Sequence, residues 1–519
     1  MTNQIHIDRL KQGVEYWNNW RAMLKRGRID LFDPPPNPVI LKSAVLVGAQ
    51  LAHVDFSSVN LEFTDLSSAD LTGADFRNAI LESVIFRSAI LLNAKFSGAV
   101  LRGADFTSAD LTNADFWRND FTNANLQGAD LRTKNLVNSV LWGTNLADTN
   151  LSGVDLSGKN LVETNLAGAD LSNANLSGVD LSGKKLTGTI LAGANLTASN
   201  LSGVNLSGKN LARAILTGAN LAGVKLAGAN FTDANLSGVD LSGKELAGTN
   251  LAGADLNKAN LSGADLGGKD FTGTNFAGAD LNKANLSGVD LSEKDLTRTI
   301  LAGANLAGVK LAGANLADVD LSNTDLGNND LARAILTGAN LAGVKLAGAN
   351  FTDANLSGVD LSGKELAGTN LAGADLTQAN LSGADLSGMD LARAILTGVD
   401  FANANLSGVD LGRKDLTRTN LAGATLFETN LAGANLFKAN LSAADLSGKD
   451  LTQTNFSGAD LAGSNFTNAN LANAKLAGAN LTGTDITKAK SLDSADLRDV
   501  KMTDFEREHL RIYWKTQGL

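Results

Sequence analysis

The sequence predicts a solenoid of five-residue units, and three observations carry that prediction. Every fifth residue from Leu41 to Ile486 is Leu, Phe or Ile, giving 90 units in one phase without a miss. The residue two places before this centre is usually small (Ala, Val, Thr or Ser), and the one between is usually Asp or Asn. Longer blocks recur at multiples of twenty: residues 211–256 return identically as 331–376, and Leu391–Leu396 repeats their opening. An α-helix would space apolar residues three and four apart, and a half-exposed strand two apart. A strict five fits neither, so each unit should form one side of a coil.

One unit, Ala169-Asp170-Leu171-Ser172-Asn173, shows the expected division of labour. Leu171 and the small Ala169 point inward, while Asp170 and the two following residues face water. One large and one small side chain per unit make a narrow, close-packed core. Gly and Asn at the joints tolerate the backbone angles of a corner every five residues. Stacked coils would align the Asp and Asn residues as exposed ladders able to hold a cation weakly.

This A(D/N)LXX pattern resembles the signature of the pentapeptide-repeat family over residues 41–490. The resemblance implies an all-β solenoid, a right-handed quadrilateral β-helix in which four pentads make one coil of twenty residues. Ninety pentads correspond to about 22 coils, a rod roughly 108 Å long at ~4.8 Å per coil. Contacts would run almost entirely between neighbouring coils, making stability quasi-one-dimensional.

The ends break the repeat and divide the chain into 1–40, 41–490 and 491–519. In 1–33 the spacing of Ile7, Leu10, Val14, Trp17 and Leu24 is helical, with Trp20 close by, and the run Pro34-Pro35-Pro36-Asn37-Pro38 must end that helix. An extra residue between Ile486 and Leu492 shifts the phase. Thr503-Asp504-Phe505-Glu506 then reads as a capping box opening a final helix through Tyr513 and Trp514. Short helical segments are thus expected at both ends, either capping open strand edges or docking through their aromatics. A homodimer through the terminal helix belongs to the second reading. Trp117 and Trp142 sit just after central positions and should point outward, forming with Phe116, Arg118 and Phe121 an unusual patch within the repeats. The candidate interaction residues are therefore Trp17, Trp20, Trp117, Trp142, Tyr513 and Trp514.

Lys occupies the small inward slot ten times: Lys134, Lys159, Lys184, Lys209, Lys244, Lys269, Lys294, Lys364, Lys414 and Lys449. An unpaired ammonium among Leu and Ala is costly, so each should snorkel outward with its head in water. The alternative is a helical track of cations for an anionic partner.

Chemistry-bearing constellations are not expected. Gly153-Val154-Asp155-Leu156-Ser157-Gly158-Lys159-Asn160 mimics a phosphate loop but ends in Asn160, where Ser or Thr would hold Mg²⁺. The three histidines, His6, His53 and His509, are far apart in sequence, and there is no Cys for a disulfide or a thiolate metal site. No catalytic residue, cofactor or metal is expected, and the chain does not read as an enzyme. Residues 1–35 lack the apolar core of a signal peptide, and no uncharged apolar stretch approaches a membrane span. A soluble cytoplasmic protein without membrane insertion is the expectation.

The leading functional expectation is a non-enzymatic structural and interaction rod presenting repeated polar surface to an unidentified protein partner. The alternative, implied by the family resemblance, is partial DNA mimicry toward a type II topoisomerase such as gyrase. Residues 41–490 carry 33 basic and 44 acidic groups. That net charge is about a sixth of a duplex of equal length at one phosphate per ~1.7 Å. The acidic balance also argues against direct nucleic-acid binding. A concentrated acidic stripe on one face would favour mimicry; mixed charge on all four faces would favour the interaction reading.

Overall fold

The computed structural model describes residues 41–516 apart from Ala392. Within it, each pentad pairs in parallel with the pentad twenty residues on, as in Val45↔Asp65, Asp105↔Asn125 and Asn435↔Asn455. Twenty residues are four pentads, so each coil has four sides. The chain falls into two compact units, Met1–Leu256 with Thr272–Thr274, and Asn257–Phe271 with Asn275–Leu519. The same coil builds each.

The pentad around Leu171 shows why five residues suffice. Leu171 N–H donates to Ile190 O of the next coil at 2.9 Å, and Asn173 N–H donates to Ala192 O at 2.8 Å. Ala174 N–H then closes a turn onto Leu171 O at 3.0 Å. Asn173, third in that turn, has φ +57°, the left-handed angle a type II turn demands there. No β-branched residue occupies a positive-φ position among the described residues. At Gly188 glycine has a second reason, since an added Cβ would stand 3.2 Å from Gly168 Cα one coil below.

The polar residue before each centre is part of the corner. Asp170 Oδ1 accepts the Ser172 N–H at 2.9 Å, and the same contact recurs around the coils, as at Asp65, Asn200 and Asp360. Asn also donates to the residue one coil below: Asn125 Nδ2 to Asp105 Oδ1 (3.2 Å), Asn145 to Asn125 (2.9 Å), Asn165 to Asn145 (3.1 Å). From the sequence these residues are first of all what the repeat requires, with weak cation binding secondary. In these ladders the Oδ1 atoms accept backbone and amide hydrogens that hold the coil.

Inside, the small slot also takes Thr, because its hydroxyl reaches a carbonyl of the coil below: Thr64 Oγ1 to Leu41 O (2.8 Å), Thr164 to Leu141 O (2.8 Å), Thr454 to Leu431 O (3.0 Å). In the first unit two phenylalanine columns face each other. Phe76 stacks on Phe56 and Phe96 at 5.1 and 5.0 Å, Phe86 stacks on Phe106 at 5.0 Å, and Phe76 meets Phe86 edge-on at 5.7 Å. Opposite sides therefore touch across the interior, and each such pair adds about 0.5–1.5 kcal/mol beyond area burial.

Five of the ten inward lysines correct the snorkelling expectation. Lys134 is only 8% exposed, and its Nζ donates to Leu111 O at 2.5 Å. Lys159, Lys184, Lys414 and Lys449 donate to Ser139 O, Thr164 O, Ala394 O and Thr429 O at 3.0–3.2 Å. These five heads thus turn back to main-chain carbonyls, satisfying the charge without leaving the coil. Burial pushes the Lys134 ammonium below its ordinary pKa, with Asp130 and Asp110 opposing.

Accommodating that stem opens the coil. Around Lys134 residues 110 and 130, and 115 and 135, do not bridge; around Lys209 the same holds for 185 and 205, and 190 and 210. Equivalent gaps lie beside Lys159, Lys184, Lys244, Lys364, Lys414 and Lys449. Met389, in the same slot, also leaves 365 and 385 unbridged, whereas the shorter Asn119 leaves 95↔115 and 100↔120 intact. Charge is not required for such a gap, since Met389 makes one, and length alone does not set it, since the short Asn329 leaves 305 and 325 unbridged. Lys269 and Lys294 are half-buried like most of the others.

Candidate interaction surfaces

At the C-terminal end the extra residue is absorbed by a 3₁₀ turn, Ile486–Lys488. Beyond it the bridges run n to n + 21: Asn470↔Ser491, Lys475↔Asp496, Asn480↔Lys501. Helix α1 (Asp504–Thr516) follows. Thr503 N–H donates to Glu506 Oε2 at 2.6 Å, and Glu506 N–H donates back to Thr503 Oγ1 at 3.3 Å, a closed capping box. Glu506 Oε1 also accepts the Gly483 N–H at 2.5 Å, covering a donor that would otherwise stand open at the strand edge. Burial opposes ionisation of Glu506, but the Thr503 and Gly483 amides hold its carboxyl below the usual range.

Only Leu510 of α1 is buried, while Phe505 is 78% and Ile512 50% exposed. Phe505 stacks on His509 at 5.7 Å and Tyr513 meets Trp514 edge-on at 5.8 Å. Between α1 and the last coil lies a cavity of about 220 Å³ lined by residues that include Asp485, Ile486, Met502, Phe505 and His509. Asp485 caps the 3₁₀ turn. Burial opposes its ionisation, but the Thr487 hydrogen bonds with Lys488 and His509 hold its carboxyl low.

The other candidates do not form one site. Trp17 and Trp20 lie outside the described residues. Trp117 is 39% exposed with the Arg118 guanidinium 5.1 Å from its ring, and Trp142 is half-buried. Among the described residues no ring contact joins these two tryptophans. Phe116 and Phe121 are fully buried, ending the phenylalanine columns, so they add nothing to the expected patch. Below Trp117, the buried Asn119 donates to Phe96 O and Ala99 O, but its Oδ1 has no partner among the described residues.

The carboxylates that precede the centres are spread evenly in sequence: between residues 45 and 480, taken in steps of twenty, Asp or Glu stands there eight times in each of three registers and ten times in the fourth. Among the described residues no group of three or more His, Cys, Asp or Glu could hold a metal ion, and no helix is long and apolar enough to cross a membrane.

A family model described as pentapeptide repeats (8 copies) matches overlapping stretches from 41–73 through 229–268 to 464–504. The chain belongs to the pentapeptide repeat family, whose members fold as right-handed quadrilateral β-helices. Among solved structures it is similar to HetL, a pentapeptide repeat protein involved in heterocyst differentiation regulation in the cyanobacterium Nostoc sp. strain PCC 7120. Identity is 32% over 46% of this chain and 88% of that one, with a TM-score of 0.17. A pentapeptide repeat protein of the Arabidopsis thaliana thylakoid lumen is 31% identical over 24% of this chain and 66% of its own, TM-score 0.13. QnrB1, a plasmid-mediated fluoroquinolone resistance protein, is 18% identical over 47% and 90%, TM-score 0.16. No curated protein matches the chain.

Proposed function

We propose that this protein is a non-enzymatic interaction protein whose coils present repeated polar surface and whose C-terminal helix docks a protein partner. The observation that carries this reading is the exposed apolar face of α1. Capping needs Leu510 and Glu506, yet Phe505 and Ile512 face solvent, and aromatic residues are enriched where interfaces concentrate their energy. The partner is either another protein or a second copy of this chain; a cytoplasmic setting belongs to the same reading.

DNA mimicry toward a type II topoisomerase is the weaker alternative. The carboxylates before the centres are shared among all four registers rather than gathered in one. Affinity capture with the full chain and with a Phe505→Glu/Ile512→Glu variant tests the choice. A partner bound by the first and lost by the second supports docking through α1. Equal capture of gyrase by both, with inhibited supercoiling, overturns it in favour of mimicry.

A further inference from the structure

We propose that the cleft opened beside Lys209 is a binding site for a small ligand bearing a phosphate-type oxyanion. The cleft measures about 450 Å³, with the strand from Gly183 to Gly188 on one wall and Asn205, Ser207 and Lys209 on the other. That size lies within the roughly 300–1,000 Å³ of small-molecule sites.

Its floor follows from the wedge. In a closed rung, Leu176 N–H donates to Asn195 O and Leu181 N–H to Asn200 O. The equivalent rungs from Leu186 to Asn205 and from Gly188 to Ser207 are open among the described residues, so neither these N–H groups nor the two carbonyls opposite are spent on a rung. Adjacent main-chain N–H groups beside a lysine are an established way to hold a phosphate or carboxylate.

The charge of this stretch is unlike the rest of the chain. Residues 181–232 contain Lys184, Lys185, Lys209, Arg213 and Lys225 and not one Asp or Glu, in a protein of net charge −10. Lys184 is committed to Thr164 O and serves as a wedge. Lys185 is exposed and Lys209 half-buried, and neither has a carboxylate within 4.0 Å among the described residues, which leaves both for a ligand. Other clefts of the same origin differ. The one beside Met389 is lined by Glu365 and Asp385, and the one beside Lys449 by Glu428 and Asp445, carboxylates that would repel an anion.

Calorimetric titration of the full chain with inorganic pyrophosphate, at constant ionic strength against a chloride control, tests the site. Saturable binding at one site per chain is expected. Lys185→Asn, an exposed change to the usual residue at that position, should weaken it about tenfold or more, in line with losing one charge-assisted hydrogen bond. Lys209→Thr should close the cleft and abolish binding, while Lys449→Thr should leave it unchanged. Absence of saturable binding, or unaltered affinity in folded Lys185→Asn and Lys209→Thr proteins, overturns the proposal. So does binding of a long polyanion such as heparin without pyrophosphate, which would make the region a diffuse charged surface.

Discussion

Asn119 and Glu506 are the two side chains whose local environments make the sharpest claims. Asn119 occupies a slot where Thr elsewhere satisfies its hydroxyl on the coil below, yet its own Oδ1 is buried without a partner among the described residues. Asn119→Thr should therefore raise stability by about 1 kcal/mol, the cost of one unsatisfied buried acceptor, read from denaturant melts. Glu506 closes both the capping box and the Gly483 edge. Glu506→Ala should destabilise the C-terminal end by roughly 1–2 kcal/mol, with Gly483 exchanging its amide hydrogen faster. The capping box was legible in the sequence because its four residues are contiguous. The edge contact to Gly483 was not, because the phase shift after Ile486 hides which strand α1 meets.

At the scale of the pentad, periodicity revealed almost everything about the coil and little about its exceptions. The inward-facing Leu, the small slot and the positive-φ corner all follow from one unit, since identical neighbours impose identical solutions. The direction of Lys134 and its counterparts did not follow. Snorkelling assumes that water is the cheapest partner for an ammonium, whereas here a carbonyl of the coil below lies within reach. The basic stretch 181–232 was visible as an absence of acid but was masked by the chain's overall negative balance. Phe116 and Phe121 drop out of the Trp117 patch for a related reason: they are central residues, and central residues are core. If the wedge is steric, Lys364→Thr should restore the rungs around 340↔360 and 345↔365. Stability should then rise by roughly 1–3 kcal/mol, two or so net hydrogen bonds, as measured by calorimetry.

For the whole molecule the corner carboxylates set the response to acid. Ser hydroxyls and backbone amides hold Asp155, Asp180, Asp240, Asp360 and Asp445 below the ordinary aspartate value of 3.8. A carboxyl with a lower pKa folded than unfolded contributes stability that is fully present above the unfolded value. That stability is lost as pH falls through the folded one. The melting temperature should therefore hold steady down to about pH 5 and fall progressively below about pH 4, checked by thermal melts across that range. The proposed functions follow the same division: the repeat supplies the scaffold, and distinct chemistry is proposed only where a slot or an end departs from it.

That last claim rests on the lysine wedges, and residue-resolved hydrogen exchange of the full chain tests it most directly. The amides of Leu186 and Gly188, beside the Lys209 gap, should exchange on the order of a hundredfold faster than those of Leu176 and Leu181, which sit in closed rungs. Uniform protection across all four would mean the coils are closed at Lys209, and would contradict both the wedge and the cleft built upon it.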